Sequence, residues 1–148
     1  MNTVDEILDY AIGQEEQAAA FYADLARRAE KAGMREILLE FSAEETRHKE
    51  RLLHVKQGEW RLSPNQEVVD LRIGDYLVEV AATDDLSYQD ALIIAMKREQ
   101  AAYRLYTDMA ERVPEGTLRE LFTGLASEEA GHKLFFESRY DEEVFSDN

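Results

Sequence analysis

Glu44-Glu45-Thr46-Arg47-His48-Lys49 returns 84 residues later as Glu128-Glu129-Ala130-Gly131-His132-Lys133, so the chain carries Glu-x-x-His twice, each time with the same flanking Glu and Lys. Extended outward, this offset aligns residues 3–54 with 87–138 without a gap, giving 14 identities in 52 pairs. Glu15/Glu99, Tyr22/Tyr106, Arg35/Arg119, Glu45/Glu129 and His48/His132 are among them. Helix starts, core positions and the rarest of these residues, His, fall into register together, which helical composition alone does not produce.

Each repeat reads as two helices. Thr3 followed by Glu6 is a capping box, and its image, Ser87 with Asp90, is a weaker version built on a shorter acid. Thr117 with Glu120 reads as a second full box just after the breaker Pro114-Glu115-Gly116, and Gly33 followed by Glu36 holds the matching position. These signals predict helices at about 4–31, 34–57, 88–113 and 118–140, with Gly58 as the C′ residue of the second. The crossover, residues 58–86, contains Trp60, Pro64 and Val68-Val69 without a clear period, although Ile73 to Val80 has the makings of a short helix. Helices of about 25 residues are about 37 Å long, which such a crossover can span. The expected architecture is all-α, a four-helix bundle of two antiparallel helical hairpins joined by a long crossover, in a single domain over residues 1–148.

Composition narrows the function. With 17 Lys and Arg against 32 Asp and Glu the formal charge is −15, which argues against nucleic acid or an anionic membrane as the main partner. Hydrophobic residues at 45% and their strong periodicity argue against disorder. The sequence has no cysteine, so it holds no disulfide, thiol nucleophile, zinc finger or rubredoxin-type centre. Any metal must therefore be bound by oxygen and imidazole. No apolar stretch approaches the roughly 18 residues of a membrane span, and the acidic start, Asp5 and Glu6, is unlike a signal peptide. A soluble, cytoplasmic protein is expected.

The inner stripes of the helices are interrupted by charge. In the second helix the stripe runs Leu38, Phe41, Glu45, His48, Leu52 and Val55, and in the fourth Phe122, Leu125, Glu129, His132 and Phe136. The first runs Leu8, Ile12, Glu15, Tyr22, Leu25 and Ala29, and the third Leu92, Met96, Glu99, Tyr106, Met109 and Val113. Residues equidistant from the turn of an antiparallel hairpin face each other. Glu15 and His48 centre on the Ala32-Gly33 turn, and Glu99 and His132 on Pro114-Gly116, so each Glu lies level with its His. Four buried carboxylates and two imidazoles would cost several kcal/mol per unpaired ion. Divalent cations resolve that conflict. His54 has no counterpart in the repeat and lies about 240° round the helix from His48, which places it at the surface. Glu44 and Glu128 fall beside the stripe and read as rim charges, and Asp141, Glu142, Glu143 and Asp147 as a solvated tail.

Glu15, Glu45-x-x-His48, Glu99 and Glu129-x-x-His132 form the ligand pattern of ferritin-like di-iron and di-manganese carboxylate proteins. The strings Glu15-Glu16-Gln17-Ala18-Ala19-Ala20-Phe21-Tyr22 and Met96-Lys97-Arg98-Glu99-Gln100-Ala101-Ala102-Tyr103, with the two Glu-x-x-His segments, resemble the rubrerythrin family over nearly the whole chain. The resemblance implies two iron ions, or manganese, with Glu45 and Glu129 bridging, Glu15 and His48 capping one ion, and Glu99 and His132 the other. It also implies that Tyr22 and Tyr106 hydrogen-bond ligand carboxylates; catalytic proton delivery is then expected through Tyr22, Tyr106 or a bound water. Family members with strong peroxide reductase character carry an extra Glu three residues after the third-helix ligand. Here that position is Ala102.

The function so implied is a di-iron oxidoreductase that reduces hydrogen peroxide or dioxygen, fed by a separate electron donor such as a rubredoxin-type protein. Two alternatives are a ferroxidase with ferrous iron as substrate and a non-enzymatic, metal-binding helical interaction protein. A homodimer is expected, with Ile93-Ile94 and Phe135-Phe136 as candidate contact pairs.

Overall fold

The computed structural model describes residues 1–58, 63–78 and 86–145, with side chains through Glu142. The chain forms two compact units, Met1–Asp75 and a second beginning at Tyr76, and each is one helical hairpin. Among the described residues there is no strand, and no helix is long and apolar enough to cross a membrane.

The first hairpin pairs α1 (Val4–Arg28) with α2 (Ala32–Gln57). Contacts of Lys56 with Asp9 and of Ser42 Oγ with the Ala19 carbonyl (2.7 Å) show the helices to be antiparallel. At the start of α1 the capping box is complete: Thr3 Oγ1 accepts from Glu6 N–H, and Glu6 Oε1 accepts from Thr3 N–H. The crossover, although it has no hydrophobic period, satisfies two further donors that any helix start leaves open. The Gln66 carbonyl accepts from Val4 N–H and the Pro64 carbonyl from Asp5 N–H, both at 2.9 Å. Asn2 extends this fastening, taking Val68 N–H on its carbonyl and Ile73 N–H on its side chain. Val68 and Leu71 are buried beneath.

The second hairpin pairs α3 (Tyr88–Arg112) with α4 (Thr117–Phe145). Ser87 caps α3 through Asp90 N–H at 3.0 Å. The short helix expected from Ile73 is a single 3-10 turn, Ile73–Tyr76, and residues 79–85 and Trp60 lie outside the described residues. The buried Tyr76 donates its hydroxyl to the Asp108 carboxylate, and the Arg104 guanidinium lies 5.4 Å above its ring.

Helix ends depart from the sequence reading for identifiable reasons. α1 stops at Arg28 instead of residue 31, and α2 starts at Ala32, so Gly33 lies inside α2 and Lys31 is its N-cap. Arg35 reaches back across the turn to the carbonyls of Ala29 and Glu30 (3.1 and 3.3 Å), serving oxygens that would otherwise continue the helix. Its repeat image does the same: Arg119 gives Nε and Nη2 to the Val113 carbonyl at 3.2 and 2.7 Å. The Thr117 capping box is not the start of α4. Glu120 N–H bonds the Gly116 carbonyl, which makes Gly116 the N-cap, and its φ of 141° is open to glycine alone. Gly58 ends α2 as foreseen, but with extended backbone (φ −89°) and not as a left-handed C′ residue. Asp141 and Glu142 are exposed but helical, since α4 runs on past residue 140 and Arg139 pairs with Glu142 at 2.7 Å.

Two predictions follow from these contacts. Arg119→Ala should cost about 1–2 kcal/mol in urea denaturation, because the guanidinium's two bonds to one carbonyl are lost, and Arg35→Ala, whose bonds are longer, should cost less. Burial and the bond to Asp108 push the Tyr76 hydroxyl well above the ordinary tyrosine range. Its raised folded-state value means that Tyr76 contributes fully below about pH 10, where the unfolded phenol is still protonated, and progressively less as pH rises further. Melting temperature should therefore fall less steeply above about pH 10 in Tyr76→Phe than in the parent chain; equal slopes would remove Tyr76 from the explanation.

Candidate metal centre

Each hairpin brings one Glu from its first helix against the Glu-x-x-His of its second. In the first, Glu15 comes from α1, and Glu45 and His48 lie one turn apart on α2. The His48 Nδ1 is 3.4 Å from Glu15 Oε2 and 3.8 Å from Glu45 Oε1. In the second, the His132 Nδ1 is 3.7 Å from Glu99 Oε1 and 3.6 Å from Glu129 Oε1. All six residues are at most 4% exposed. The ligand atoms within each trio lie within 4.8 Å of one another.

The donor set fits a divalent cation on three counts. The imidazole-to-carboxylate distances exceed the 2.7–3.2 Å range of good hydrogen bonds. They approach the roughly 3.0–3.4 Å between neighbouring ligand atoms that each sit about 2.1 Å from one ion. Two carboxylates and a neutral imidazole carry a charge of −2, which one divalent ion cancels, whereas burial of that charge alone costs several kcal/mol per ion. Oxygen and imidazole donors favour ferrous iron or manganese over thiophilic metals.

The helices present these groups through their apolar spacing. Leu38 and Leu52 flank Glu45 and His48 on α2, and Phe122, Leu125 and Phe136 flank Glu129 and His132 on α4, all at 0–1% exposure. The stripe therefore buries whatever residue stands at these positions. Tyr22 and Tyr106, two turns from Glu15 and Glu99, are also buried. Tyr22 meets Phe41 edge to face, with ring centres 6.3 Å apart, and Tyr106 stacks on Phe122 at the same separation. His54 and Glu128 are exposed and Glu44 is half-buried, in keeping with surface and rim positions.

A family model of rubrerythrin matches residues 6–140, which include both hairpins and all six buried Glu and His residues. The chain belongs to the rubrerythrin family. Its fold class is accordingly that of the ferritin-like, all-α four-helix bundles. Searches of curated proteins and of solved structures gave no match. Within this rubrerythrin the two Glu2His trios are compatible with a di-metal site, and the absence of cysteine means that no rubredoxin-type centre lies within residues 1–148.

Sequence reasoning missed Arg35 and Arg119 as staples of the turns, although their identity in the repeat was the available signal. It also missed Tyr76, for which no periodic signal exists. Of the apolar pairs suggested as a dimer surface, Ile94 and Phe136 are buried in their own hairpin, while Ile93 and Phe135 are half-buried, the latter with the Arg139 guanidinium 5.2 Å from its ring centre.

Proposed function

We propose that this rubrerythrin is a di-iron oxidoreductase that takes hydrogen peroxide or dioxygen as its oxidant, two electrons carrying peroxide to water or dioxygen to peroxide. The observation that carries the reading is the duplicated, buried Glu2His trio, whose charge calls for one divalent ion in each hairpin. Glu15, Glu45 and His48 would hold one ion and Glu99, Glu129 and His132 the other. Manganese suits the same donors. Bound iron supplies Lewis acidity and two electrons, one from each ion, which is what reduction of an O–O bond requires.

The protein's own groups supply the remainder. The apolar residues around each trio exclude water, so a proton must be delivered through fixed side chains. Tyr22 and Tyr106 are the candidate donors: each is a buried hydroxyl on the same stripe as a ligand Glu. Each turnover consumes two electrons, which a separate donor such as a rubredoxin-type protein must replace, in a cytoplasmic setting.

The principal alternative is iron handling, in which ferrous iron is the substrate and the acidic surface attracts it. Aerobic loading with excess ferrous iron separates the two. The proposed activity predicts a final content of about two iron atoms per chain, one for each buried trio. Continued uptake well beyond that would establish the alternative in its place.

A further inference from the structure

Polar contacts tie α1 to α2 at intervals of two helical turns. Ser42, Lys49 and Lys56 follow one another at seven-residue spacing along α2, about 10 Å per step. Ser42 donates its hydroxyl to the Ala19 carbonyl at 2.7 Å, Lys49 Nζ lies 3.5 Å from Glu16 Oε2, and Lys56 pairs with Asp9. The first two clamps bracket the metal level. Ser42 stands one turn before Glu45, while Lys49 and Glu16 directly follow the ligands His48 and Glu15 in sequence.

The repeat supplies the comparison. At the positions 84 residues on, the second hairpin has Ala126 for Ser42, Tyr103 for Ala19, Gln100 for Glu16, and Tyr140 and Ile93 for Lys56 and Asp9. Lys49 keeps its type as Lys133, but that lysine bonds Glu137 on its own helix. Among the described residues none of these images ties α3 to α4 by a side-chain polar contact. Where Ser42 meets Ala19 in the first hairpin, Tyr103 and Ala126 line a groove of about 690 Å³ between α3 and α4. The cross-helix distances within the trios follow: His48 Nδ1 to Glu15 Oε2 is 3.4 Å, and His132 Nδ1 to Glu99 Oε1 is 3.7 Å.

We propose, resting on the reading of both trios as metal sites, that they bind their ions unequally: the first trio holds its ion tightly, the second is the exchangeable site, and Ser42, Lys49 and Glu16 are positioning residues for the first. Both trios offer two carboxylates and one imidazole, so donor type cannot distinguish them. Each ion sits between a Glu of one helix and the Glu-x-x-His of the other, and affinity therefore depends on the separation of the two helices at that level. In the first hairpin the clamps fix this separation before metal arrives. In the second the ion itself must draw α3 and α4 together, which consumes part of its binding free energy. Exposed ion pairs such as Lys49–Glu16 add little to global stability. This one acts on a single coordinate, next to the ligands that the coordinate brings together.

Titration calorimetry of the metal-free chain with manganous ion tests this. The parent is expected to take up two ions in two resolved steps. Glu129→Gln leaves the first trio intact and Glu45→Gln the second, and the first is expected to bind about tenfold more tightly. Adding Ser42→Ala/Lys49→Met to the Glu129→Gln chain should remove most of that advantage. The sign of this change is decisive, because loss of a lysine beside a cation site would by charge alone tighten binding. Lys133→Met, which removes the same charge beside the second trio but no cross-helix clamp, should not weaken binding in the Glu45→Gln chain. Circular dichroism checks that every variant keeps its helices. Equal affinities, a tighter second trio, or a first trio indifferent to loss of its clamps would overturn the proposal and leave the metal sites standing. A parent chain that binds no manganese would overturn both.

Discussion

Replacing Glu45 and Glu129 together by alanine is expected to strip the chain of bound iron and to end its reaction with peroxide. Each is the Glu of a Glu-x-x-His turn, 3.8 and 3.6 Å from its His, and each supplies half of the negative charge in its trio. Without it a single carboxylate and an imidazole remain, too few donors and too little charge to hold a divalent ion in competition with water. The loss should exceed the roughly 10- to 100-fold that removal of a merely supporting group costs a metal site. Elemental analysis and stopped-flow mixing with peroxide read the two effects separately, and circular dichroism checks that the helices persist. Unchanged metal content and activity would defeat the oxidoreductase and ferroxidase readings together.

The second large effect is on stability. In the metal-free protein each trio confines two carboxylates to positions that are at most 2% exposed, on stripes that otherwise bury Leu, Phe and Tyr. A cation bound only by the folded state stabilises it by about 2.7 kcal/mol when present at 100 times its dissociation constant, so two sites give about 5 kcal/mol. For a chain of this size that corresponds to a rise in melting temperature of about 10–20 °C. Glu45→Gln/Glu129→Gln should lose this response and, with two buried charges removed, should melt higher than the metal-free parent. Differential scanning calorimetry with chelator, with manganous ion and with ferrous ion excluding air makes the comparison. A parent chain that melts at the same temperature in all three would show that the trios bind no cation worth the name.

Much of this was legible in the sequence because the decisive residues obey helical periodicity. Glu15, Glu45, His48, Glu99, Glu129 and His132 occur where the 3.6-residue stripe demands apolar residues, and the structure buries all six. The hairpins followed from the same pattern together with the 84-residue repeat. The features that escaped it depend on contacts between segments. No local propensity says that Arg35 will take the Ala29 carbonyl, or that Pro64 and Gln66 will cap the first turn of α1 with backbone oxygens. Thr117 has the right chemistry for an N-cap, but the turn geometry at Gly116 claims that position one residue earlier. Asp141 and Glu142, read as part of a solvated tail, are acidic residues of a kind that opposes the macrodipole near a helix C-terminus. The Arg139–Glu142 pair supports the helix there instead.

The central claim is that the duplicated trio holds two redox-active ions, and it is met most directly by protein purified without air. Its iron is counted, and the reduced form is then mixed in a stopped-flow instrument with hydrogen peroxide and, separately, with dioxygen. The account predicts about two iron atoms per chain, one for each trio, and oxidation of both by at least one of the two oxidants. Iron-free protein that cannot be loaded, or loaded protein that reacts with neither oxidant, would contradict it.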